Sequence, residues 1–347
     1  MNPFAIVGGE VRLFTLRLKE PFITALGRRD STTNVELRLR LAGGARGRGE
    51  ASGSVVYAHQ KPARLARVLR RLVSRARGRD TRAVLPLARE TWREAGHTPA
   101  AACAFECAAL DALLKALRIP MAQWFGGALD RVESDCTLSA ASAGTAAAAA
   151  RRAADAGFRV LKVKVGSGGP AADLARVLAA HEAAPRAPIQ LDGNQGLTAS
   201  EARRLVEGCL KRKVRLTLLE QPLPRDLFRE AARLKRDLPI PLAADESVRS
   251  VEDARRVLDL DAADVLNIKL AKTGIQASLE IMALARSAGK RLMIGCMAET
   301  AAGLSPGVHL ACGTGAFSFV DLDSDFLLVD EQPRGGWRRE GAWLVLG

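Results

Sequence analysis

Residues 159–166 read R-V-L-K-V-K-V-G, a short apolar run rich in β-branched residues, punctuated by Gly157 before it and closed by Gly166. Val160, Leu161, Val163 and Val165 predict a buried strand. Lys162 and Lys164 stand inside that run two residues apart, so on a strand both point to the same face. Two neighbouring lysines are rarely buried without a reason. An exposed edge strand, where lysines discourage aggregation, is the plain alternative. The flanking segments decide between the two.

From residue 128 onward, apolar runs alternate with helical segments. The runs are 137–139, 160–165, 189–191, 216–219, 242–244, 265–268, 292–294 and 317–322. The helices between them are expected at 145–156, 171–183, 200–211, 226–236, 251–258, 275–288 and 302–312. Regular alternation predicts a parallel sheet, and about eight units of roughly 25 residues match a (β/α) barrel. A doubly wound open sheet is the competing arrangement, but no Gly-rich dinucleotide turn follows the first strand.

The upstream part has a different pattern. Residues 11–18, V-R-L-F-T-L-R-L, and 35–41, V-E-L-R-L-R-L, alternate apolar and polar as half-buried strands do. Residues 21–34, with Gly27 and several Ser and Thr, read as a loop. The glycine-rich turn at 43–50 leads into a third strand, and helices are expected at 63–73, 83–95 and 99–117. Cys103 and Cys107 share one face of the last helix, where packing explains them. This α+β unit ends near residues 120–127.

The ends of the barrel strands carry the chemistry. Asp192-Gly193-Asn194 follows the run 189–191, Glu220-Gln221-Pro222 follows 216–219, and Asp245-Glu246-Ser247 follows 242–244. Lys269 closes the run 265–268, and Asp321 and Asp323 lie at the end of the last strand. In a barrel these ends converge on the rim where active sites form. One acid at a strand end is usually a helix N-cap. Three on consecutive strands, flanked by lysine-bearing strands, are poorly explained that way. Converging carboxylates need a cation to stay ionised. An all-oxygen donor set without His or Cys selects a hard ion, Mg²⁺ first and Mn²⁺ second. Beside such an ion and a second lysine, an ammonium loses its proton more readily and becomes a base.

These motifs resemble the enolase superfamily in its muconate-lactonizing subgroup. The match rests on K-V-K from Lys162 to Lys164, D-G-N from Asp192, E-Q-P from Glu220, A-D-E-S from Ala244 and N-I-K-L-A-K from Asn267 to Lys272. The resemblance covers nearly the whole chain. It implies a (β/α)7β modified TIM barrel at 128–324 under an α+β capping domain at 1–127, with residues 325–347 completing the cap. It also implies that Asp192, Glu220 and Asp245 bind Mg²⁺. Lys164 and Lys269 would be the acid/base pair, with Lys162 supporting the substrate carboxylate. Asp321-Leu322-Asp323 resembles the D-x-D with which dipeptide epimerases hold a dipeptide's α-ammonium, and the segment around Met297, G-C-M-A-E-T, resembles that group as well. The implied reaction is a 1,1-proton transfer at Cα of the C-terminal residue, through an enediolate. A cycloisomerase, an o-succinylbenzoate synthase or an N-acylamino-acid racemase would need no acids for an ammonium. An acid-sugar dehydratase would want a histidine on a late barrel strand, and His59, His97, His181 and His309 supply none.

One departure concerns side-chain recognition. Members acting on Ala-Glu carry an arginine in the cap loop, and alignment of P-F-x-T-A-L puts Gly27 there, with Arg28 and Arg29 displaced by one and two. Arg28 is the expected substrate contact for an acidic side chain, while Asp30 would suit a cationic one. Tyr57 and His59 are candidates for the pocket wall, a surface place being equally open to His59.

Composition narrows the remaining classes. The net charge is +14 and the pI about 10.1. The arginines fall at helical spacing among alanines and leucines, and aromatic residues make up only 4%, leaving little for base stacking. The basic excess reads as solvated helix faces that steer anionic ligands, not as a nucleic-acid surface. No apolar run approaches the roughly 20 residues of a membrane span. Scattered cysteines without a CxxC, and an N-terminus unlike a signal peptide, lead to the expectation of a cytoplasmic protein. By analogy with other barrels, a homo-oligomer is expected.

Overall fold

A computed structural model describes residues 2–53, 60–329 and 335–347 of the chain. The capping unit begins with an antiparallel sheet of β1 (Ile6–Thr24), β2 (Gly27–Leu41) and β3 (Arg46–Ser52). Residues 21–34, expected as a loop, are instead the far end of the β1–β2 hairpin: Phe22 pairs with Arg29 and Thr24 with Gly27. Threonines that suggest a loop by composition also favour a pleated surface when a partner strand lies alongside, as Thr15 does for Thr33.

Helices α1 (Pro62–Arg75), α2 (Val84–Ala95) and α3 (Pro99–Leu117) cover this sheet. On α1, Leu65, Leu69 and Leu72 form a buried stripe, while Arg64, Arg67, Arg70 and Arg71 face solvent. Helix α3 is alanine-rich for a steric reason. A Cβ built on Gly49 would stand 1.8 Å from the carbonyl oxygen of Ala104, and one on Gly47 1.9 Å from that of Ala108. The helix therefore rests directly on the β3 backbone. Gly49→Ala is expected to cost about 2 kcal/mol through overpacking, read as a lowered midpoint in thermal or urea unfolding. An unchanged midpoint would show that α3 can lift away freely.

After α4 (Met121–Trp124) and β4 (Arg131–Glu133) come β5 (Cys136–Leu138), α5 (Ala143–Asp155), β6 (Leu161–Lys164), α6 (Pro170–Ala183), β7 (Ile189–Asp192) and α7 (Ala199–Lys211). Then follow β8 (Leu216–Glu220), α8 (Phe228–Asp237), β9 (Leu242–Ala244), α9 (Val251–Asp259), β10 (Val265–Ile268), α10 (Leu270–Ser287), β11 (Arg291–Gly295), α11 (Ala301–Thr314) and β12 (Phe319–Asp321). Strands β5 to β12 form one sheet, each parallel to the next. Its two edges meet: the Asp135 N–H donates to the Val320 carbonyl at 2.9 Å, and the Thr137 N–H to Asp323 Oδ2 at 2.6 Å. This is a (β/α)7β barrel under an α+β cap. Leu218, Ala243, Val265 and Met293 cluster as the inward-facing apolar layer, while alternate residues such as Leu219 pack outward under the helices.

Two features tie the cap to the rim. Helix α10 is broken at Gly274 (φ 70°), where a Cβ would meet Glu106 Oε2 of α3 at 2.1 Å. Glu106 accepts the Gln276 N–H at 2.9 Å and the Trp92 indole N–H at 3.0 Å, so the cap holds the helix that follows Lys269. Across the molecule, buried Glu50 accepts from the N–H and hydroxyl of Thr300, while Asn34 and Ser52 donate to the Ala298 carbonyl.

The C-terminal residues contact both the cap and the barrel unit. After α12 (Ser324–Leu327), a bridge joins Leu328 to Leu18 of the cap. Strands β13 (Trp337–Glu340) and β14 (Trp343–Leu346) pair with each other, and β14 pairs with β4 rather than with the cap sheet. The preference is for an open edge: β4 offers unpaired backbone groups that the hairpin satisfies. Among the described residues, no helix is long and apolar enough to cross a membrane.

Candidate active site

The register of the sheet delivers the expected constellation. Lys164 is level with Asp192, and Asp192 with Glu220. Asp245 follows the last residue of β9, and Lys269 the last of β10. Lys162 is 0% exposed, which removes the edge-strand alternative. Its Nζ lies 2.5 Å from Asp321, 2.7 Å from Glu220 and 3.4 Å from Asp192. Lys164 Nζ is 2.5 Å from Asp192 Oδ2, and Lys269 Nζ is 2.8 Å from Asp245 Oδ2. Lysines thus approach the three strand-end acids from both sides.

Each buried charge is perturbed by the others. Burial opposes charge on Lys162, but Asp321, Glu220 and Asp192 hold it well above the ordinary lysine range. Lys269 behaves the same way, with burial outweighed by Asp245 and Glu220. The protein's own carboxylates thus favour the charged form of Lys162 and Lys269, and the expected loss of an ammonium proton is tied to a divalent cation among the same acids. Asp245, despite burial, is pulled below the usual carboxylate range by Lys269 and Lys272. Glu220 is pushed up by burial and by Asp192. Asp321 and Asp323 are driven apart. Burial would raise Asp321, but Lys162 and Lys269 bring it down to about 2; burial and Asp321 push Asp323 up to about 6.

A cavity opens between this rim and the cap. Lys164, Lys269, Thr137, Asn194, Asp321 and Asp323 line it from the barrel, together with Cys296, Met297 and Ala298. Leu18, Phe22, Leu26 and Arg29 close it from the cap. Two of the expected contacts lie away from the residues that line the cavity. Lys162 does not line the cavity; it lies beneath the acids, in the inward layer shared with Thr137 and Gln190. Arg28 points outward and pairs with exposed Asp30 at 3.0 Å. Successive strand residues face opposite sides, so Arg29 is the one turned inward, its Nη1 donating to the Gly53 carbonyl at 2.7 Å. Tyr57 and His59 lie outside the described residues.

Several site residues had only weak sequence signals. Lys272, the second lysine of N-I-K-L-A-K, donates to the backbone and side chain of Asp245 at 2.6 Å each. Asn267 donates to Glu220 Oε1 at 2.6 Å. Among the described residues, Glu220 Oε2 receives no hydrogen bond and its contact is the ion pair with Lys162 at 2.7 Å. A buried carboxylate oxygen that receives no hydrogen bond, beside Asp192 in an all-oxygen donor set, fits a hard divalent cation. A second group of carboxylates, Asp135, Asp321 and Asp323, brings one oxygen from each within 4.8 Å of the others.

Comparison with known proteins agrees with this layout. Residues 9–126 match the N-terminal domain model of mandelate racemase / muconate lactonizing enzyme, and residues 145–339 match the enolase C-terminal domain-like model. An aromatic dipeptide epimerase from Herpetosiphon aurantiacus is 35% identical, with 99% of this chain and 97% of the relative covered. An L-Ala-D/L-Glu epimerase from Thermotoga maritima is 32% identical, with 97% of each covered. The dipeptide epimerase of Enterococcus faecalis V583, solved with Mg and L-Leu-L-Tyr, superposes with a TM-score of 0.93 at 30% identity, covering 99% of this chain and 97% of that one.

Proposed function

The chain belongs to the mandelate racemase / muconate lactonizing enzyme family of the enolase superfamily, and on that premise we propose that this isomerase is a Mg²⁺-dependent dipeptide epimerase. The observation that carries the reading is the pairing of two lysines, Lys164 and Lys269, with two buried carboxylates, Asp321 and Asp323, around one cavity. The lysines suit proton transfer at a carbon acid, and the paired carboxylates suit an ammonium. Cycloisomerases and N-acylamino-acid racemases handle substrates with no such cation, so Asp321 and Asp323 favour the dipeptide.

In this reading Asp321 and Asp323 hold the α-ammonium, and the carboxylate of the C-terminal residue points to the strand-end acids. Asp192, Glu220 and Asp245 would hold Mg²⁺, or Mn²⁺, which would supply positive charge to attract that carboxylate and offset the charge that develops on it. Lys162 neutralises the acids from below. Lys164 and Lys269 face the Cα from opposite walls. One removes the Cα proton, leaving an enediolate, and the other returns a proton to the opposite face. The product is the epimer, with no atom gained or lost. Among the described residues, Arg29 is the charged group on a cap wall of Leu18, Phe22, Leu26 and two threonines, Thr24 and Thr32, and it is engaged with the Gly53 carbonyl. Aromatic or branched apolar side chains are therefore expected to be preferred over glutamate.

Pooled L,L-dipeptides incubated with the enzyme and Mg²⁺ in D₂O test this by mass spectrometry. The expected result is gain of one deuteron at the C-terminal residue, strongest for apolar dipeptides. No incorporation into any dipeptide, in an enzyme that binds Mg²⁺, would sink the reading.

A further inference from the structure

Asp135 immediately precedes β5, and strand alternation places its side chain on the inward side with Thr137. It is 2% exposed, and neither of its carboxyl oxygens receives a hydrogen bond. Its neighbours differ. Asp323 Oδ2 accepts the Thr137 N–H, and Asp321 accepts from Lys162 and, at 3.3 Å, from the Thr137 hydroxyl. The charged and titratable groups that face Asp135 are Asp321 and Asp323 at the end of the last barrel strand, Lys162 on β6 and the adjoining Cys136 thiol. The single charge of Lys162 is already shared with Glu220 and Asp192.

Three buried carboxylates with oxygens within 4.8 Å of one another cannot all ionise cheaply, even with Lys162 beside them. The one without a donor takes the proton, and a carboxylic acid then has an O–H to place. Asp321 brings a carboxylate oxygen within 4.8 Å of one on Asp135, close enough for a small side-chain rotation to join them through a proton. Burial, with the charge of Asp321 added, pushes Asp135 well above the carboxylate range, consistent with this arrangement.

We propose that Asp135 is a positioning residue, a neutral carboxylic acid whose O–H donates to Asp321 and fixes that carboxylate for the substrate's α-ammonium. The inference rests on the reading that Asp321 and Asp323 hold the ammonium. Asp135 touches no substrate itself. It acts by restricting the rotamer of Asp321 and leaving two negative charges, not three, at the seam.

The test compares Asp135→Asn, Asp135→Leu and Asp321→Asn in steady-state kinetics on a turned-over dipeptide from pH 6 to 9. An asparagine amide can still donate to Asp321, so KM should stay within about threefold of the parent across that range. The leucine variant fills the same space without a donor, and its KM should rise about tenfold or more with kcat little changed. A purely structural role would lower the melting temperature without this split. Asparagine raising KM as much as leucine would overturn the proposal, because Asp135 would then act as an anion. If the leucine chain does not fold, the asparagine KM alone decides by the same criterion. Should Asp321→Asn leave KM unchanged, the ammonium reading fails and the proposal falls with it. A raised KM in Asp321→Asn beside a normal one in Asp135→Leu would sink the proposal alone.

Discussion

Lys164→Ala and Lys269→Ala should each abolish net epimerisation, lowering kcat by about 10³-fold or more, at the upper end of what a single positioned acid/base group contributes. Inversion needs a proton donor and a proton acceptor on opposite faces of one carbon, so neither lysine can replace the other. Exchange is less demanding than inversion. Each variant should still wash deuterium into one epimer, the one whose Cα–H faces the remaining lysine, and the two variants should choose opposite epimers. Proton NMR of L,L- and L,D-dipeptides in D₂O reads both quantities in one experiment. Removing Lys269 leaves Asp245 with Lys272 at 2.6 Å, and removing Lys164 leaves Asp192 with Lys162 at 3.4 Å. The altered acids thus keep a cationic partner, and folding should survive, as thermal melting would check. A variant that still exchanges both epimers would end the two-lysine mechanism.

The second large effect concerns the metal. Chelation should abolish turnover and Mg²⁺ should restore it. Mg²⁺ at a hundredfold excess over its Kd should also stabilise the fold by about 2.7 kcal/mol, because an ion bound only by the native state shifts unfolding by mass action. The gain is expected because Asp192, Glu220 and Asp245 crowd negative charge that lysines alone neutralise from the side. Glu220→Gln removes one charge but keeps the shape, and its activity at fixed Mg²⁺ should fall at least about a hundredfold, beyond what outer-shell changes typically cost. The same variant should lose most of the thermal shift. An unchanged shift would place the ion elsewhere, with the Asp135–Asp321–Asp323 group the next site to examine.

The parts legible in the sequence are those governed by local periodicity. Alternating apolar runs and helices predict the barrel because a parallel strand buried on both faces must be apolar, and each crossover must be long enough for a helix. Asp192, Glu220, Asp245 and Lys269 are legible for the same reason: each stands at the end of a recognisable run, and barrel geometry brings such ends together. Thr137 and Asp135 carry no comparable signal. Their roles depend on closure of the first strand against the last, between residues nearly two hundred positions apart.

Tertiary pairing settled the rest. Residues 21–34 became hairpin once strands lay alongside to take up their backbone groups, and that register turned Arg29 inward and Arg28 out. The terminal hairpin chose β4, an open edge, over the cap sheet. Sequence alone determined which segments are strands and which residues end them, since side-chain alternation is a property of the chain itself. Which acid is buried without a hydrogen-bond partner and which arginine meets the cavity followed only from the fold, because burial and charge partners are set by segments distant in the chain.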